Sequence, residues 1–458
     1  MGDVGGDVGA DGNNTDNNNV DASNRDTPRG DAGGGCALVD NRCNRLDDNC
    51  DGEIDELCCP AGGDWFNTGP GGGELRPLSP RVTWSAHANK FLLAWIVTTR
   101  ERDAANLATA PVGELRFAIF DFEYRPTGIP ASFLDMNVTQ FDVTEIDGEF
   151  FVIYAHANTQ GSTANLVSVA KIDAEDAIPN QRTQVTNTDG TVEYVGASQS
   201  DSREFMALWT EEDTGSGSGC SQTRASCILT MVLESSLRVE DAVQADITLG
   251  KYYGVDLAMG PSGGIIMAVV QAQDPEPSKV VWKTVTANFN IDGNRGTVNI
   301  NGAAELNDTA VDPGLRVATL ANGNFAGVRT TGRPSRVLSH VISPNGQFLD
   351  TIELDRDTGG LRDVSLATVK DPQQSVVTAW PTDGGVMFKL WNSGFDMAVR
   401  THLHMPRHNE FDYRPVDIAT APGVGYVVAL SAPGQNGEEV YFTFLGPELD
   451  RLCGRPQN

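Results

Sequence analysis

A short hydrophobic pattern recurs through most of the chain. Each copy has a turn residue or a polar pair, then a large apolar residue, then a short apolar run that mostly ends in an aromatic or aliphatic side chain. Apolar runs of this length, bounded by turn residues, are typical of buried strands. The seven copies end 50 to 60 residues apart and read NKFLLAW (89–95), GEFFVIY (148–154), REFMALW (203–209), GGIIMAV (263–269), GNFAGVR (323–329), QSVVTAW (374–380) and VGYVVAL (424–430).

Further strand patterns flank each copy. The strands that follow are ELRFAIFDF, NLVSVAKID, CILTMVLES, VVWKTVTAN, RVLSHVISP, VMFKLWNSG and EVYFTFLGP. The strands that precede are RVTWSA, DVTEID, DLAMG, RVATLA, DVSLAT and DIATAP, with a weaker candidate, EYVGASQ, before the third copy. They alternate apolar and polar residues or run apolar, as strands do, and long amphipathic helical patterns are absent.

Seven repeats of about 55 residues, each with three or four antiparallel strands, predict an all-β fold, a β-propeller of about seven blades. A single small sheet cannot cover both of its faces, but radially stacked sheets cover one another. A row of β-sandwich domains is the alternative, but each of those needs about 100 residues. Imperfect copies, such as the one that contains Gly327 and Arg329, leave six or eight blades open.

Composition divides the chain into four parts. Gly, Asp and Asn fill 22 of the first 35 positions, so we expect 1–35 to be a disordered, acidic tether. Residues 36–60 form a small cysteine-rich acidic unit, and 61–77 a Gly/Pro-rich link. The propeller repeats occupy 78–453.

The net charge and the cysteine content limit where the protein can be located and what it can bind. A formal net charge of −29 argues against binding to nucleic acid or to an anionic membrane surface. No apolar stretch approaches the roughly 18 residues of a membrane span. Eight cysteines, five of them within 24 residues, suit an oxidising compartment, so we expect a secreted or surface-tethered protein. We also expect it to be a monomer. MGDVGGDVGADG has neither the basic start nor the apolar run of a signal peptide, so we expect an export signal to have been lost upstream.

The acidic unit has the ligand spacing of a calcium loop. Counted from Asp47, oxygen-bearing side chains occupy the first, third, fifth and ninth places, namely Asp47, Asn49, Asp51 and Asp55. Gly52 is sixth, where such a loop turns sharply, and Glu53 is seventh, where its backbone carbonyl serves. Cys58 stands at place twelve, where an EF-hand has a bidentate Glu. Glu56, water or another segment would therefore have to complete the six to eight oxygens that Ca²⁺ takes.

The stretch CNRLDDNCDGEIDE resembles the short MopE-type metal-binding motif, usually written C-N-G-x-D-D-D-C-D-G-x-x-D-E. Its acidic core is also similar to thrombospondin type-3 calcium loops. The resemblance covers about 25 residues, and it departs from the motif at Arg45 and Asn49. It implies a large exported bacterial protein and, by the family's label, copper. Hard carboxylates suit Ca²⁺ better than copper, so we expect Ca²⁺.

The alternative is a solvated acidic loop that a Cys43–Cys50 disulfide closes and that binds no ion. A zinc site is less favoured, because cysteine spacings of seven do not match paired C-x₂₋₄-C hooks. Cys220 and Cys227 suit a bridge across a hairpin loop. Cys453 is left to pair with Cys58 or Cys59, which would tie the calcium unit to the propeller; the connectivity stays open.

Two other groups are candidate sites. Most first strands open with a charged residue, and these residues would ring the mouth of the central channel: Arg81, Asp142, Asp256, Arg316, Asp363 and Asp417. Alternatively, these side chains satisfy one another and nearby backbone groups across blades, as buried charges must. In HLHMPRH, His402 and His404 would share a strand face, with Met405 and His408 near, as a copper or zinc site; a basic surface loop is the favoured alternative.

Catalytic motifs are absent: the chain has no G-x-S-x-G, no H-E-x-x-H, no phosphate-binding Gly loop and no S-x-D-x-G-x-x-W box. The sequence therefore predicts an exported or cell-surface, non-enzymatic calcium-binding protein. Its propeller would be a binding platform for protein or glycan. The alternative is an extracellular hydrolase or lyase with carboxylates at the channel mouth, where Asp142 and Asp256 are the candidates.

Overall fold

The computed structural model describes most of the repeat region. The described ranges are 66–67, 76–98, 113–121, 126–157, 164–187, 190–199, 204–212, 227–238, 243–245, 251–271, 279–291, 295–299, 315–331, 336–356, 365–368, 376–382, 385–392, 394–404, 414–421, 425–434 and 437–446. The predicted tether and the predicted metal-binding unit, 1–35 and 36–60, lie outside them. Within these ranges, no helix is long and apolar enough to cross a membrane.

Every element in the described ranges is a strand. The first twelve are β1 Phe66–Asn67, β2 Arg76–Ser85, β3 Lys90–Thr98, β4 Gly113–Phe120, β5 Pro126–Ile146, β6 Glu149–His156, β7 Leu166–Ile172, β8 Pro179–Asn187, β9 Thr191–Gln199, β10 Glu204–Glu212, β11 Cys227–Glu234 and β12 Val243–Ala245. The next eight are β13 Lys251–Gly260, β14 Gly263–Gln271, β15 Lys279–Thr286, β16 Arg295–Asn299, β17 Leu315–Thr319, β18 Phe325–Thr330, β19 Arg336–Ile342 and β20 Phe348–Arg356. The last seven are β21 Ser365–Thr368, β22 Val376–Thr382, β23 Gly385–Trp391, β24 Ala398–His404, β25 Arg414–Ala421, β26 Gly425–Gly434 and β27 Gly437–Leu445.

The strands form antiparallel sheets that follow chain order. Four sheets run β9 to β12, β13 to β16, β17 to β20 and β21 to β24, and a fifth has the order β1-β27-β26-β25. The sixth, β2 to β8, is two sheets joined by the long strand β5. At Val138 the pairing of β5 passes from Gly113 of β4 to His156 of β6. The described strands thus group as seven four-stranded units, numbered here from unit 1 (β2 to the first half of β5) to unit 7 (β25 to β27 with β1).

The first strands of the units surround a common axis. β2, the second half of β5, β9, β13, β17, β21 and β25 each contact the next in this order, and β25 contacts β2. The units therefore close into a ring, which confirms the predicted all-β propeller.

The hydrophobic core lies between neighbouring units, so the molecule has no single central core. The buried side chains of the described residues fall into seven clusters, and each cluster is drawn from two adjacent units. A second strand such as β18 is buried at all six positions, because both of its faces pack on a neighbouring sheet. This two-sided burial produces the short apolar runs of the sequence.

The ring closes between the two ends of the chain. β1 pairs with the outer side of β27, with Phe66 opposite Phe442, and supplies the fourth strand of unit 7. β1 and the start of β2 fall within 61–77, the segment predicted to be a link. An aromatic cluster packs across the same seam, with Phe120 4.7 Å from Phe442 and Phe91 5.0 Å from Phe444 between ring centroids.

Polar side chains add a second kind of link between units. In four cases among the described residues, a side-chain donor reaches the backbone of the turn before the outer strand of the next unit. Lys90 Nζ donates to Ala174 O at 3.0 Å, Lys171 Nζ to Ser235 O at 3.1 Å, Gln181 Nε2 to Ser236 O at 3.0 Å and Trp282 Nε1 to Gly346 O at 2.9 Å. They join units 1 and 2, units 2 and 3, and units 4 and 5.

Candidate site at the channel axis

The charged residues predicted to line the channel occupy equivalent positions on the first strands. Each lies opposite a second-strand residue: Arg81 opposite Ala94, Asp142 opposite Ile153, Asp256 opposite Met267, Arg316 opposite Val328 and Asp417 opposite Ala429. We call these five residues the axial charge ring. In β9 the equivalent position is Gly196, opposite Leu208. Asp363, the sixth predicted member, lies outside the described residues.

Each aspartate of the ring accepts a backbone hydrogen bond from the next unit. The Oδ2 atoms of Asp417, Asp142 and Asp256 accept the N–H groups of Val82 at 2.8 Å, Ala197 at 2.9 Å and Val317 at 2.7 Å, respectively. In every case the donor directly follows the equivalent position of the next unit. The three bonds therefore join unit 7 to unit 1, unit 2 to unit 3, and unit 4 to unit 5.

The two arginines of the ring differ in their surroundings. Arg81 is only 3% exposed, and its Nε lies 3.8 Å from Asp142 Oδ1. Arg316 is partly exposed, and its Nη1 donates to the carbonyl of Leu315 at 3.3 Å. Among the described residues, no carboxylate lies within ion-pair distance of Arg316, although its charge acts on both Asp142 and Asp256.

Burial raises the pKa of two carboxyls of the ring, those of Asp142 and Asp256. Desolvation raises the pKa of Asp142, while the charges of Arg81 and Arg316 oppose the shift. Desolvation also raises the pKa of Asp256, to about 7; Arg316 opposes this shift and the Asp142 charge adds to it. Asp256 is therefore partly protonated at neutral pH, where an ordinary aspartate is ionised.

This geometry confirms, for the three described aspartates, the part of the alternative in which these side chains bond to backbone groups across blades. Pairing between side chains of the ring is shown for Asp142 with Arg81. A buried carboxylate needs such partners, because its desolvation is otherwise costly. The ring also retains a partly exposed guanidinium, Arg316, and a carboxyl that titrates near neutrality, Asp256. Among the described residues of the axis, these two groups are the ones that we consider for ligand chemistry.

The other predicted site residues lie largely outside the described ranges. This holds for the whole calcium set: Asp47, Asn49, Asp51, Glu53, Asp55 and Glu56. His402 and His404 end β24 opposite Phe388 and Val386, two apart on one strand, and their side chains are not among those described. Cys227 is buried at the start of β11 and is disulfide-bonded; all other cysteines lie outside the described ranges, so its pairing with Cys220 stays a prediction.

Two polar clusters were not predicted. In unit 5, buried Arg329 donates through Nε to His340 Nε2 at 3.0 Å, and His340 Nδ1 lies 3.0 Å from Thr351 Oγ1. Burial, with the charge of Arg329, lowers the pKa of His340 to about 3, so this imidazole is neutral at physiological pH. Arg329 breaks the apolar repeat pattern, and that break is the sequence signal for the cluster.

The second cluster lies between units 1 and 2. Tyr154 Oη donates to Asp135 Oδ2 at 2.8 Å, and Asp135 also lies 3.5 Å from Arg182 Nη1. His156 Nε2 lies 2.9 Å from Ser168 Oγ, and burial lowers the pKa of His156. No sequence motif marks these residues. Among the described residues, no three His, Cys, Asp or Glu side chains are grouped as a metal ion would need.

Comparisons with known proteins give a likeness of shape alone. No protein-family model matches the chain, and no curated protein matches it. The solved Dos1 propeller is similar over 86% of this chain and 97% of its own, at 9% identity and a TM-score of 0.47. Trypanosoma rangeli sialidase in complex with the inhibitor DANA covers 69% of this chain at 10% identity and a TM-score of 0.45, and the match spans 56% of the sialidase chain. Pyrococcus horikoshii acylaminoacyl peptidase covers 80% at 9% identity and a TM-score of 0.42, and the match spans 51% of the peptidase chain.

Proposed function

We propose that this chain is an exported or cell-surface, non-enzymatic calcium-binding protein whose propeller is a binding platform for protein or glycan. The observation that supports the non-enzymatic role is that Asp142, Asp256 and Asp417 are already hydrogen-bonded within the fold. Each uses Oδ2 to bind the backbone of the next unit. Carboxyl pairs that cleave glycosidic bonds must instead present their oxygens to the substrate.

A hydrolase or lyase is the second candidate, and one observation favours it. The raised pKa of Asp256, about 7, lies in the range that suits a general acid at neutral pH. The same shift is expected of a buried structural carboxyl. The two roles differ in what happens to a bound ligand.

The fate of the ligand separates these roles. Glycan and peptide arrays probed with the native protein would supply ligands, and mass spectrometry would compare each ligand before and after incubation. A platform retains its ligand and releases it intact, and Asp256→Asn behaves in the same way because the amide oxygen still accepts the Val317 N–H. Cleavage by the native protein that Asp256→Asn abolishes would establish the enzyme instead.

The calcium role is supported by the ligand spacing from Asp47 to Glu56 and by the resemblance to the MopE-type motif. Titration calorimetry on non-reduced, EDTA-stripped protein tests it, beside the double variant Asp47→Ala/Asp51→Ala. We expect one strong Ca²⁺ event that the double variant loses. A matched control, Asp21→Ala/Asp26→Ala, removes the same charge from the tether and should retain the event. No binding heat in the native protein would reject the site and leave a disulfide-closed loop.

A further inference from the structure

Arg316 is the member of the axial charge ring whose side chain is least engaged. A guanidinium carries five N–H donors in a planar fork, and the Arg316 side chain donates to one carbonyl, that of Leu315. The residue is partly exposed on the first strand β17, which faces the axis. Its remaining N–H donors are therefore the ones that a ligand at the axis could use, and guanidinium forks bind carboxylates through two parallel hydrogen bonds.

The neighbouring acids do not occupy this fork. Asp142 and Asp256 are near enough for the Arg316 charge to act on them, but neither is within ion-pair distance of it. Both hold their Oδ2 atoms on backbone N–H groups of the next units, which fixes their orientation. An external anion can thus bind Arg316 without breaking an existing ion pair of the described residues.

The charges of the ring favour the binding of an anion that is coupled to the uptake of a proton by the ring. Among the described residues, the other charges on the axial first strands are Arg81 of β2, Asp142 of β5, Asp256 of β13 and Asp417 of β25, while β9 has the uncharged Gly196. An ionised Asp256 would repel a second carboxylate, whereas a protonated Asp256 is neutral and has an O–H donor. Because its pKa is about 7, the protonation costs little near neutral pH.

We propose that Arg316, flanked by Asp142 and Asp256, anchors the carboxylate of a ligand at the channel axis, and that Asp256 takes up a proton as this ligand binds. The inference rests on the proposed platform function and names its ligand class. The proton comes from solvent and remains on Asp256 while the ligand stays ionised on the guanidinium. Affinity is therefore highest below the pKa of Asp256 and falls by up to about tenfold per pH unit above it.

Calorimetry with small carboxylates tests the proposal on the full-length protein between pH 6 and pH 8.5. The probes are glucuronate for a sugar acid, N-acetylglycine for a peptide carboxylate, and glucose as the neutral control. Titrations in two buffers of different ionisation enthalpy count the protons taken up. We expect saturable binding of at least one carboxylate, no binding of glucose, and proton uptake near pH 7.

Three variants locate the site. Arg316→Gln should weaken binding at least tenfold, and Arg316→Lys, which keeps the charge without the fork, should weaken it less. Asp256→Asn should bind without proton uptake and without the pH dependence. Arg116→Gln removes an arginine that pairs with Glu114 on β4, away from the axis, and should bind as the native protein does.

The outcomes are distinct. Binding of glucuronate alone, of N-acetylglycine alone or of both would support the site and show whether its ligand is a sugar acid, a peptide carboxylate or any carboxylate. No saturable binding of either probe, or equal affinity in the native protein and Arg316→Gln, would overturn the proposal. Ligands retained intact from the arrays would still support the platform function in that case, whereas their cleavage would reject the platform itself.

Discussion

Single carboxylates join neighbouring sheets of this propeller at its axis. Asp417 shows the arrangement most simply, because its Oδ2 accepts the N–H of Val82, a residue 335 positions earlier in the chain. The bond satisfies a backbone donor of a first strand and a buried charge in one contact. It also lies at the junction of unit 7 with unit 1, where the ring must close.

Removing this acceptor should destabilise the fold. In Asp417→Ala the buried N–H of Val82 loses its partner, and we expect the free energy of unfolding to fall by about 1–3 kcal/mol. Asp417→Asn retains an oxygen acceptor of the same shape and should cost clearly less. Urea denaturation of both variants at pH 7 makes the comparison, and equal losses would contradict the role given to this bond.

The positions of the axial charge ring were predictable from sequence, but their partners were not. A charged residue at the start of an otherwise apolar strand is visible in the sequence at Arg81, Asp256 and Asp417. The donors are backbone groups of another unit, and no side-chain pattern identifies them. Gly196 occupies the equivalent position in β9 but has no charge, so the charge pattern did not reveal it.

The elements most accurately predicted are the inner three strands of each unit. Runs such as those of β6 and β18 are buried on both faces, so their apolar character is nearly continuous. The outer strands were not individually predicted. β20, for example, begins with four exposed residues, and a strand at a sheet edge in contact with solvent has little hydrophobic pattern.

Two of the tight turns between first and second strands require glycine. Gly425 opens β26 with φ of +139°, and a Cβ atom there would lie 2.0 Å from the carbonyl oxygen of Leu445. Gly263, at the equivalent position in unit 4, has φ of +125° and a similar contact, 2.4 Å from Val285 O. The backbone of the third strand occupies the space that a side chain would need.

Gly425→Ala should therefore destabilise the protein more than a glycine substitution in an open turn. Gly323→Ala is the matched control, because Gly323 also has positive φ, at +81°, but a Cβ atom there would meet only Pro344 Cγ at 3.6 Å. We expect the control to lose about 1 kcal/mol from backbone strain, and Gly425→Ala to lose about 2 kcal/mol or more. Thermal unfolding of the two variants tests the difference, which should vanish if strain alone governs both.

For the whole molecule, the sequence predicted a ring but not the way it closes. A two-residue strand, Phe66–Asn67, has no periodicity to detect, and its partner β27 lies at the other end of the chain. Closure by β1 places strands from both ends of the chain in one sheet. The aromatic cluster of Phe91, Phe120, Phe442 and Phe444 packs across the same seam.

Two truncations should distinguish the contribution of the closing strand β1 from that of the segment before it. Deletion of residues 1–60 leaves β1 in place and is the reference, because both truncated proteins lack the predicted pairing of Cys453 with Cys58 or Cys59. Deletion of residues 1–67 removes the pairing with β27, whose hydrogen bonds contribute about 1 kcal/mol each. Hydrogen exchange followed by mass spectrometry should then show about tenfold faster exchange in β27. Equal exchange in the two truncated proteins would show that β1 is not needed for closure.

The central claim is that the axial carboxyl groups are buried and have a structural role as hydrogen-bond acceptors. The pH dependence of the free energy of unfolding tests this claim most directly. The folded-state pKa of Asp256, about 7, lies above the unfolded value, so between about pH 4 and pH 7 the folded protein binds more protons than the unfolded chain. The free energy of unfolding must then fall as pH rises through this window, by up to about 1.4 kcal/mol per pH unit from Asp256, and the raised pKa of Asp142 adds a fall of the same sign.

Urea denaturation of native protein and Asp256→Asn from pH 4 to pH 8 is the decisive measurement. The variant keeps an acceptor for Val317 but cannot ionise, so we predict a shallower slope and a variant that is more stable than native protein above pH 7. Equal slopes, with the variant less stable at every pH, would show that Asp256 is an ordinary ionised carboxylate and would contradict this account of the axial charge ring.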